Sequence, residues 1–266
     1  MKYVFTLSLL SCLQILLSQD FANEFIYETN DHQQAFKEMK VAQMTSMHEK
    51  YEEGEVVESY ISEVYDIDAS GKIVKFDDKS SIIDFEEKWI EQYFYDEQGR
   101  LIKVIYEFEE ENRPPDIEET HYAYRKDGLL DSMCEFAVVD NYLQLNECTY
   151  FHYHEALLTH TTNEEGDTVE RVEYVDDSTF KFHGTYSIVT YCHGDPIKRE
   201  FSDGHSWEYQ FKNGIIQRSE RKDQDVRAEF EYDKNGLPKE FRSYKEGVLD
   251  YKETYSYKYH KEEKND

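Results

Sequence analysis

Asp66, Asp68, Ser70 and Asp77 are the residues whose types and spacing come nearest to a chemical task. They supply oxygens at positions 1, 3, 5 and 12 of a loop, with Gly71 at position 6 and Ile73 at position 8. That spacing is similar to an EF-hand calcium loop, where glycine permits a sharp turn and hard carboxylate oxygens hold the cation. Calcium is therefore the one cofactor the chain suggests. Against it, the last ligand is an aspartate with a short arm, and the flanks read as strands. The competing reading is a plain hairpin turn.

Cys148, Tyr150, His152 and His154 form a second grouping. On a strand these four share one face, and Cys and His are zinc ligands. No fourth ligand is evident, so a half-exposed strand face is the favoured reading. No nucleophile elbow, zinc-protease, P-loop or dinucleotide glycine motif occurs. Carboxylates are too numerous for a glycosidase pair to be picked out. Tyrosines and Trp207 would serve sugar stacking or protein contact equally well, but filling the sheet is the expected role for most.

The elements that would carry these residues follow from composition. The 266 residues include 23 Tyr and 16 Phe against 2 Trp and 4 Pro. With 15% aromatics, disorder throughout is not expected. The formal net charge of -28 speaks first to solubility and also disfavours nucleic acid as a partner.

Lys2 followed by the apolar run from Tyr3 to Leu17 reads as an export signal over residues 1–18. The run is shorter than the ~20 residues a membrane span needs, so no transmembrane span is expected in the mature chain. Leu9-Leu10-Ser11-Cys12 offers an alternative, a lipoprotein anchor at Cys12. Removing the signal leaves Cys134, Cys148 and Cys192, which is no disulfide framework.

Residues 19–54 are expected to form a helical arm or cap. Asp31 and Gln34 suit a capping box. Phe36, Met39, Ala42, Met47 and Tyr51 give a helical stripe, and Gly54 a stop. Residues 55–260 then turn to period two, with 261–266 as a tail. Aromatic strands alternate with polar turns whose glycines (71, 99, 128, 194, 214 and 236) fall mostly at the 20-to-30-residue spacing of stacked repeats. In the copy beginning at Tyr93, Asp96 can cap a type I turn and Gly99 can take the left-handed position of a G1 bulge. Asp96 then pairs with Arg100, Tyr95 with Leu101 and Phe94 with Ile102. Both faces of that hairpin would be apolar.

For Val139-Asp140-Asn141-Tyr142 a two-residue turn pairs Val138 with Leu143 and Phe136 with Leu145. In that register Cys134 faces Glu147 and Cys148 faces Met133. A three-residue loop would instead pair Cys134 with Cys148, but it would set Phe136 against Asn146 and Val138 against Gln144, so the buried apolar pattern is expected to set the register and no disulfide to join the two cysteines.

Tyr93, Tyr95, Asp96, Gly99, Arg100 and Leu101, with Tyr232, Asp233, Gly236 and Leu237, resemble the YD repeats of RHS proteins. Looser copies extend the resemblance over residues 60 to 260. A weaker similarity is to MORN-type hairpin repeats. The resemblance implies an all-β protein of repeated antiparallel hairpins in an elongated or wound sheet, secreted or at the cell surface, without implying toxin activity.

Together these readings give an exported, non-catalytic binding protein for a protein or carbohydrate ligand. A secreted hydrolase using acidic residues and a structural envelope component are the alternatives.

Overall fold

The computed structural model describes residues 30–79, 88–109, 114–139, 142–154, 157–176, 178–193, 195–212 and 215–261. The expected signal (1–18), Cys12 and nearly all of the expected tail lie outside the described residues.

One helix, α1 (Asn30–Glu38), precedes eighteen strands. The first nine are β1 (Val41–Glu52), β2 (Glu55–Ile67), β3 (Ile73–Asp78), β4 (Lys88–Tyr95), β5 (Leu101–Glu109), β6 (Asp116–Tyr124), β7 (Leu130–Val139), β8 (Tyr142–His154) and β9 (Leu157–Thr162). The rest are β10 (Thr168–Tyr174), β11 (Thr179–His183), β12 (Ser187–Cys192), β13 (Asp195–Phe201), β14 (Ser206–Lys212), β15 (Ile215–Arg221), β16 (Val226–Tyr232), β17 (Pro238–Lys245) and β18 (Val248–Tyr259). A 3-10 turn, Lys222–Gln224, links β15 to β16.

Each strand pairs antiparallel with the next, and β18 returns to pair with β1. The result is a closed up-and-down barrel. This corrects the expected open or wound sheet: the repeats are hairpins, but their ends meet. Closure depends on residues 41–52, which were expected to continue the helix. The helix ends at Glu38, Lys40 takes a left-handed φ of 54°, and Val41 begins a strand that is paired on both sides. A helix there would leave both β2 and β18 with unpaired edges, so long-range pairing overrides local propensity. Gly54 is not a helix stop. It forms with Glu53 a two-residue turn with both φ positive (52° and 85°), the type I′ geometry that fits a hairpin.

The five-residue turns behave as their chemistry requires. Asp96 Oδ1 accepts the N–H groups of Gln98 and Arg100, both at 2.9 Å, and Gly99 has a φ of 80°. Asp68 and Asp233 repeat the cap, and Asn163 does so through its amide oxygen. Tyr95 pairs with Leu101 as expected, but a bulge follows, and Phe94 pairs with Lys103 instead of Ile102. Lys103 Nζ then lies 4.8 Å from the Phe94 ring centre, so that face is mixed rather than apolar.

The tyrosine ahead of a turn has a second task. Tyr95 Oη donates to the Ile73 carbonyl and Tyr124 Oη to the Leu101 carbonyl, both at 2.8 Å. Each fastens its hairpin to the start of the one before.

Alternation sets the inner wall. Met44, Tyr65, Val104, Thr120, Met133, Phe151, Thr161, Phe182, Ser219, Ala228 and Phe241 are buried on one continuous face. Phe36 of α1 packs with Val41, Met44, Tyr65, Ile67, Leu237 and Phe241 at one mouth. A second cluster gathers Leu130, Met133, Phe151, Leu158, Phe180, Phe182, Val189 and Tyr191. Between them, buried Glu63 accepts from Tyr65 Oη at 3.1 Å, and buried Glu253 accepts from Tyr255 Oη at 2.9 Å.

Candidate interaction surface

Among the described residues, strands of unequal length leave stretches of the barrel paired on one side only, such as Glu55–Ser62 of β2 and the upper part of β8. β8 runs from Tyr142 to His154, but β9 pairs only with its lower part, from Tyr150↔Thr162 to His154↔Leu157. The chain then turns away at Asn163–Gly166. From residue 142 to 149, β8 is paired only with β7 among the described residues. Its backbone on the β9 side is thus a row of donors and acceptors with no strand to meet them, the arrangement that recruits an added strand. One group at the lower end is satisfied: Cys148 N–H donates to the Glu164 carboxylate.

The register of this arm resolves the two demands seen in the sequence. Val138 pairs with Leu143 and Phe136 with Leu145, as a two-residue turn requires. Then Asn146 is bulged out, and Glu135 faces Glu147 while Cys134 faces Cys148. The cysteines form a disulfide, with Cα atoms 4.1 Å apart. The expectation of no disulfide is therefore corrected: one inserted residue shifts the register below the bulge without disturbing the apolar pairs above it. Among the described residues Cys192 is the free cysteine.

Side chains on the two faces of the arm differ. Phe136, Val138, Leu143 and Leu145 share the outer face with the disulfide and Tyr150. The sequence reading treated their apolar pattern as a buried one. In the structure Leu143 and Leu145 are 49% and 48% exposed, and Tyr142 at the tip is 77% exposed. Contiguous exposed apolar side chains of this kind are a mark of interaction sites when the patch is large. His121 packs its ring on Phe136 with centres 4.8 Å apart, closing the patch on the β6 side.

The inner face carries Glu118, Glu135 and Glu147. Glu135 stands directly across from Glu147, a like-charge pairing that opposes the sheet. Burial pushes the Glu135 carboxyl up from its ordinary value, and the Glu147 and Glu118 charges push it further. None of the three has an ion-pair partner among the described residues.

Beside the lower end of the open edge lies a cleft of about 570 Å³, whose lining includes Arg125, Asp131, Tyr150, His152, Thr162 and Glu164. Glu164, which accepts from Cys148 N–H at the edge, also lines the cleft, so cleft and edge adjoin.

The residues singled out for metals are placed as follows. Asp68 Oδ1 accepts from Ser70 N, Ser70 Oγ and Lys72 N at 2.8, 2.7 and 3.0 Å, so both members of the pair work within the turn. Asp66 accepts from Gln43 Nε2 at 2.8 Å. Asp77 lies along β3 with Lys79 Nζ at 2.6 Å and Lys75 Nζ at 3.9 Å. Cys148 is held in the disulfide, and His152 stacks on His160 with ring centres 4.5 Å apart. Among the described residues no group of three His, Cys, Asp or Glu side chains has a metal-site arrangement.

The open edge itself was missed in the sequence. Its only signal there was the unequal length of strands β8 and β9, visible as the early turn at Asn163-Glu164-Glu165-Gly166.

Comparison with known proteins gives little to build on. No family model matches the chain, and no curated protein matches it. Among solved structures it is similar to the TcdB2-TccC3-Cdc42 complex at 13% identity and a TM-score of 0.29. It is similar to the Photorhabdus luminescens Tc holotoxin pore at 12% and 0.29. In both, 74% of this chain aligns with 14% of the other. A porin-like protein from Bacteroides uniformis is similar at 9% identity and a TM-score of 0.31, over 83% of this chain and 97% of that one. Likeness at this level carries no functional argument.

Proposed function

We propose that the protein is an exported, non-catalytic binding protein that takes an extended polypeptide partner by strand addition at the upper edge of β8. The observation that carries this reading is the β9 side of residues 142–147, unpaired among the described residues, next to outward Leu143 and Leu145. An added strand would satisfy the backbone there and cover the leucines, the two terms that give strand addition its affinity and its selectivity. The disulfide at the base of the arm suits an oxidising compartment, in keeping with the export signal.

A wall facing lipid is disfavoured by the outer surface. A membrane-spanning barrel turns an apolar band outward. Here the outer face carries charge pairs, between strands in Lys252 with Glu49 at 2.5 Å and Arg242 with Glu231 at 3.2 Å, and along one strand in Arg227 with Glu229 at 3.2 Å and Lys198 with Glu200 at 2.7 Å. Among the described residues no helix is long and apolar enough to cross a membrane.

The test is selection of short peptides from a random display library on the full chain, repeated on Leu143→Lys/Leu145→Lys. Enrichment of extended, strand-forming peptides that the variant no longer retains supports the reading. Peptides retained equally by both proteins, or no enrichment at all, would sink it.

A further inference from the structure

We infer that the occupant of the β8 edge is a segment whose side chains alternate between apolar and basic. This rests on the strand-addition reading above and adds the chemistry of the partner.

A strand laid beside β8 has its own side chains alternating between the two faces of the sheet. Those on the outer face fall next to Leu143 and Leu145, with Phe136 and Val138 behind them on β7. Apolar side chains there would cover surface that now faces water. Those on the inner face fall on the side of Glu118, Glu135 and Glu147. That row has no cation of its own among the described residues. Burial, with the Glu147 and Glu118 charges adding to it, already pushes the Glu135 carboxyl upward. A lysine or arginine from the partner would relieve the repulsion between Glu135 and Glu147 and gain a charge-assisted hydrogen bond. At the lower end Glu164 adds another carboxylate against the edge. Residues 142 to 147 span about 20 Å at ~3.3 Å per residue, which sets the occupant at roughly six residues.

A second copy of this chain would meet the leucines equally well but fails on charge. Each molecule carries a formal net charge of -28, and pairing two β8 edges would bring two rows of unpaired carboxylates together. Charge complementarity selects a basic partner instead.

The probe is a set of synthetic eight-residue peptides added to the full chain and measured by titration calorimetry. One alternates valine and lysine, one alternates valine and glutamate, and one has the valine–lysine composition in blocks. The alternating valine–lysine peptide is expected to bind, and the other two to bind at least tenfold more weakly. Glu135→Gln/Glu147→Gln should weaken it roughly tenfold by removing the charge term, with its melting temperature checked to show that the barrel still folds. Raising salt should weaken binding to the wild type and have less effect on the variant.

Equal binding of the glutamate peptide, or no change in the glutamine variant, overturns the inference. So does a chain that sediments as a dimer and binds none of the three, which would make a second copy the occupant. A monomer that binds none of them and has protected β8 amides would make a stretch of the chain outside the described residues the occupant, and also overturns it. If library selection instead yields apolar, non-basic strands lost in Leu143→Lys/Leu145→Lys, strand addition stands and only its charge chemistry falls.

Discussion

Two parts of the barrel are built from long strands and end differently. In the wall formed by β17, β18, β1 and β2, the twelve-residue strand β18 is flanked by β17 and β1, and β1 by β18 and β2. Its outer face is a lattice of charges such as Lys252–Glu49 and Arg242–Glu231. In the arm formed by β7 and β8, the thirteen-residue strand β8 outruns its neighbour, and its outward residues are leucines. In its middle the wall is paired on both sides, as at Tyr251–Thr254 of β18, and its surface is salted. β2 also has a one-sided stretch, Glu55–Ser62, among the described residues; the arm is set apart by the disulfide and the row of carboxylates beside its open stretch, which is why function is assigned there.

The wall should be the more costly of the two to damage. Phe36 is 1% exposed beneath it, and Phe36→Ala should lower stability by roughly 3–5 kcal/mol, read as a fall in the denaturant midpoint. Gly71→Ala tests the same seam. Its added methyl would meet the Gln33 carbonyl at 2.2 Å, on a backbone with φ of 86°, so α1 should be dislodged from the mouth.

The next effect belongs to the arm. The Cys134–Cys148 bridge closes a loop of sequence separation 14, and Cys134→Ser/Cys148→Ser should cost about 3 kcal/mol. A non-reduced digest should contain the linked peptide pair. A wild-type chain with both thiols free would show that the bulge at Asn146 does not set the register.

A pH effect of similar size or smaller separates the interior from both surfaces. Burial raises Glu91 from its ordinary 4.5 to about 7, with the Asp78 charge adding to it, and burial likewise raises Glu170 to about 7. Because the folded values lie above the unfolded ones, the stabilising contribution of these groups is complete below pH 4.5. It is lost as pH rises through 7. Glu91→Gln should therefore raise stability at pH 8, by up to about 3 kcal/mol, and leave it nearly unchanged at pH 4. Thermal unfolding at the two pH values checks this, and equal effects at both would contradict it. The smallest effect on stability is expected where the effect on binding is greatest. Leu143→Lys/Leu145→Lys, on an exposed face, should shift stability by no more than about 0.5 kcal/mol while abolishing peptide retention.

What could be read beforehand was local. The hairpin turns at Asp96 and Asp233 and the pairing of Tyr95 with Leu101 follow from side chains within five residues of one another. The tip of the β7–β8 arm was legible for the same reason. What could not be read was set at long range. Val41 to Glu52 has a helical stripe and becomes a strand because β2 and β18 both require a partner, one of them about two hundred residues away. The disulfide was missed because one bulged residue, Asn146, satisfies two registers that exclude each other in a regular ladder. Leu143 and Leu145 were legible as an apolar pair but not as an exposed one, since exposure depends on where β9 stops.

Amide hydrogen exchange of the free full chain, followed residue by residue, tests the difference between arm and wall most directly. An open β8 edge should give fast exchange on the β9 side of residues 142–147, while Tyr251 to Thr254 in β18, paired with both β17 and β1, exchange slowly on both sides. Slow exchange on both sides of residues 142–147 in the free protein would mean that the edge is already covered, and would contradict its assignment as the binding surface.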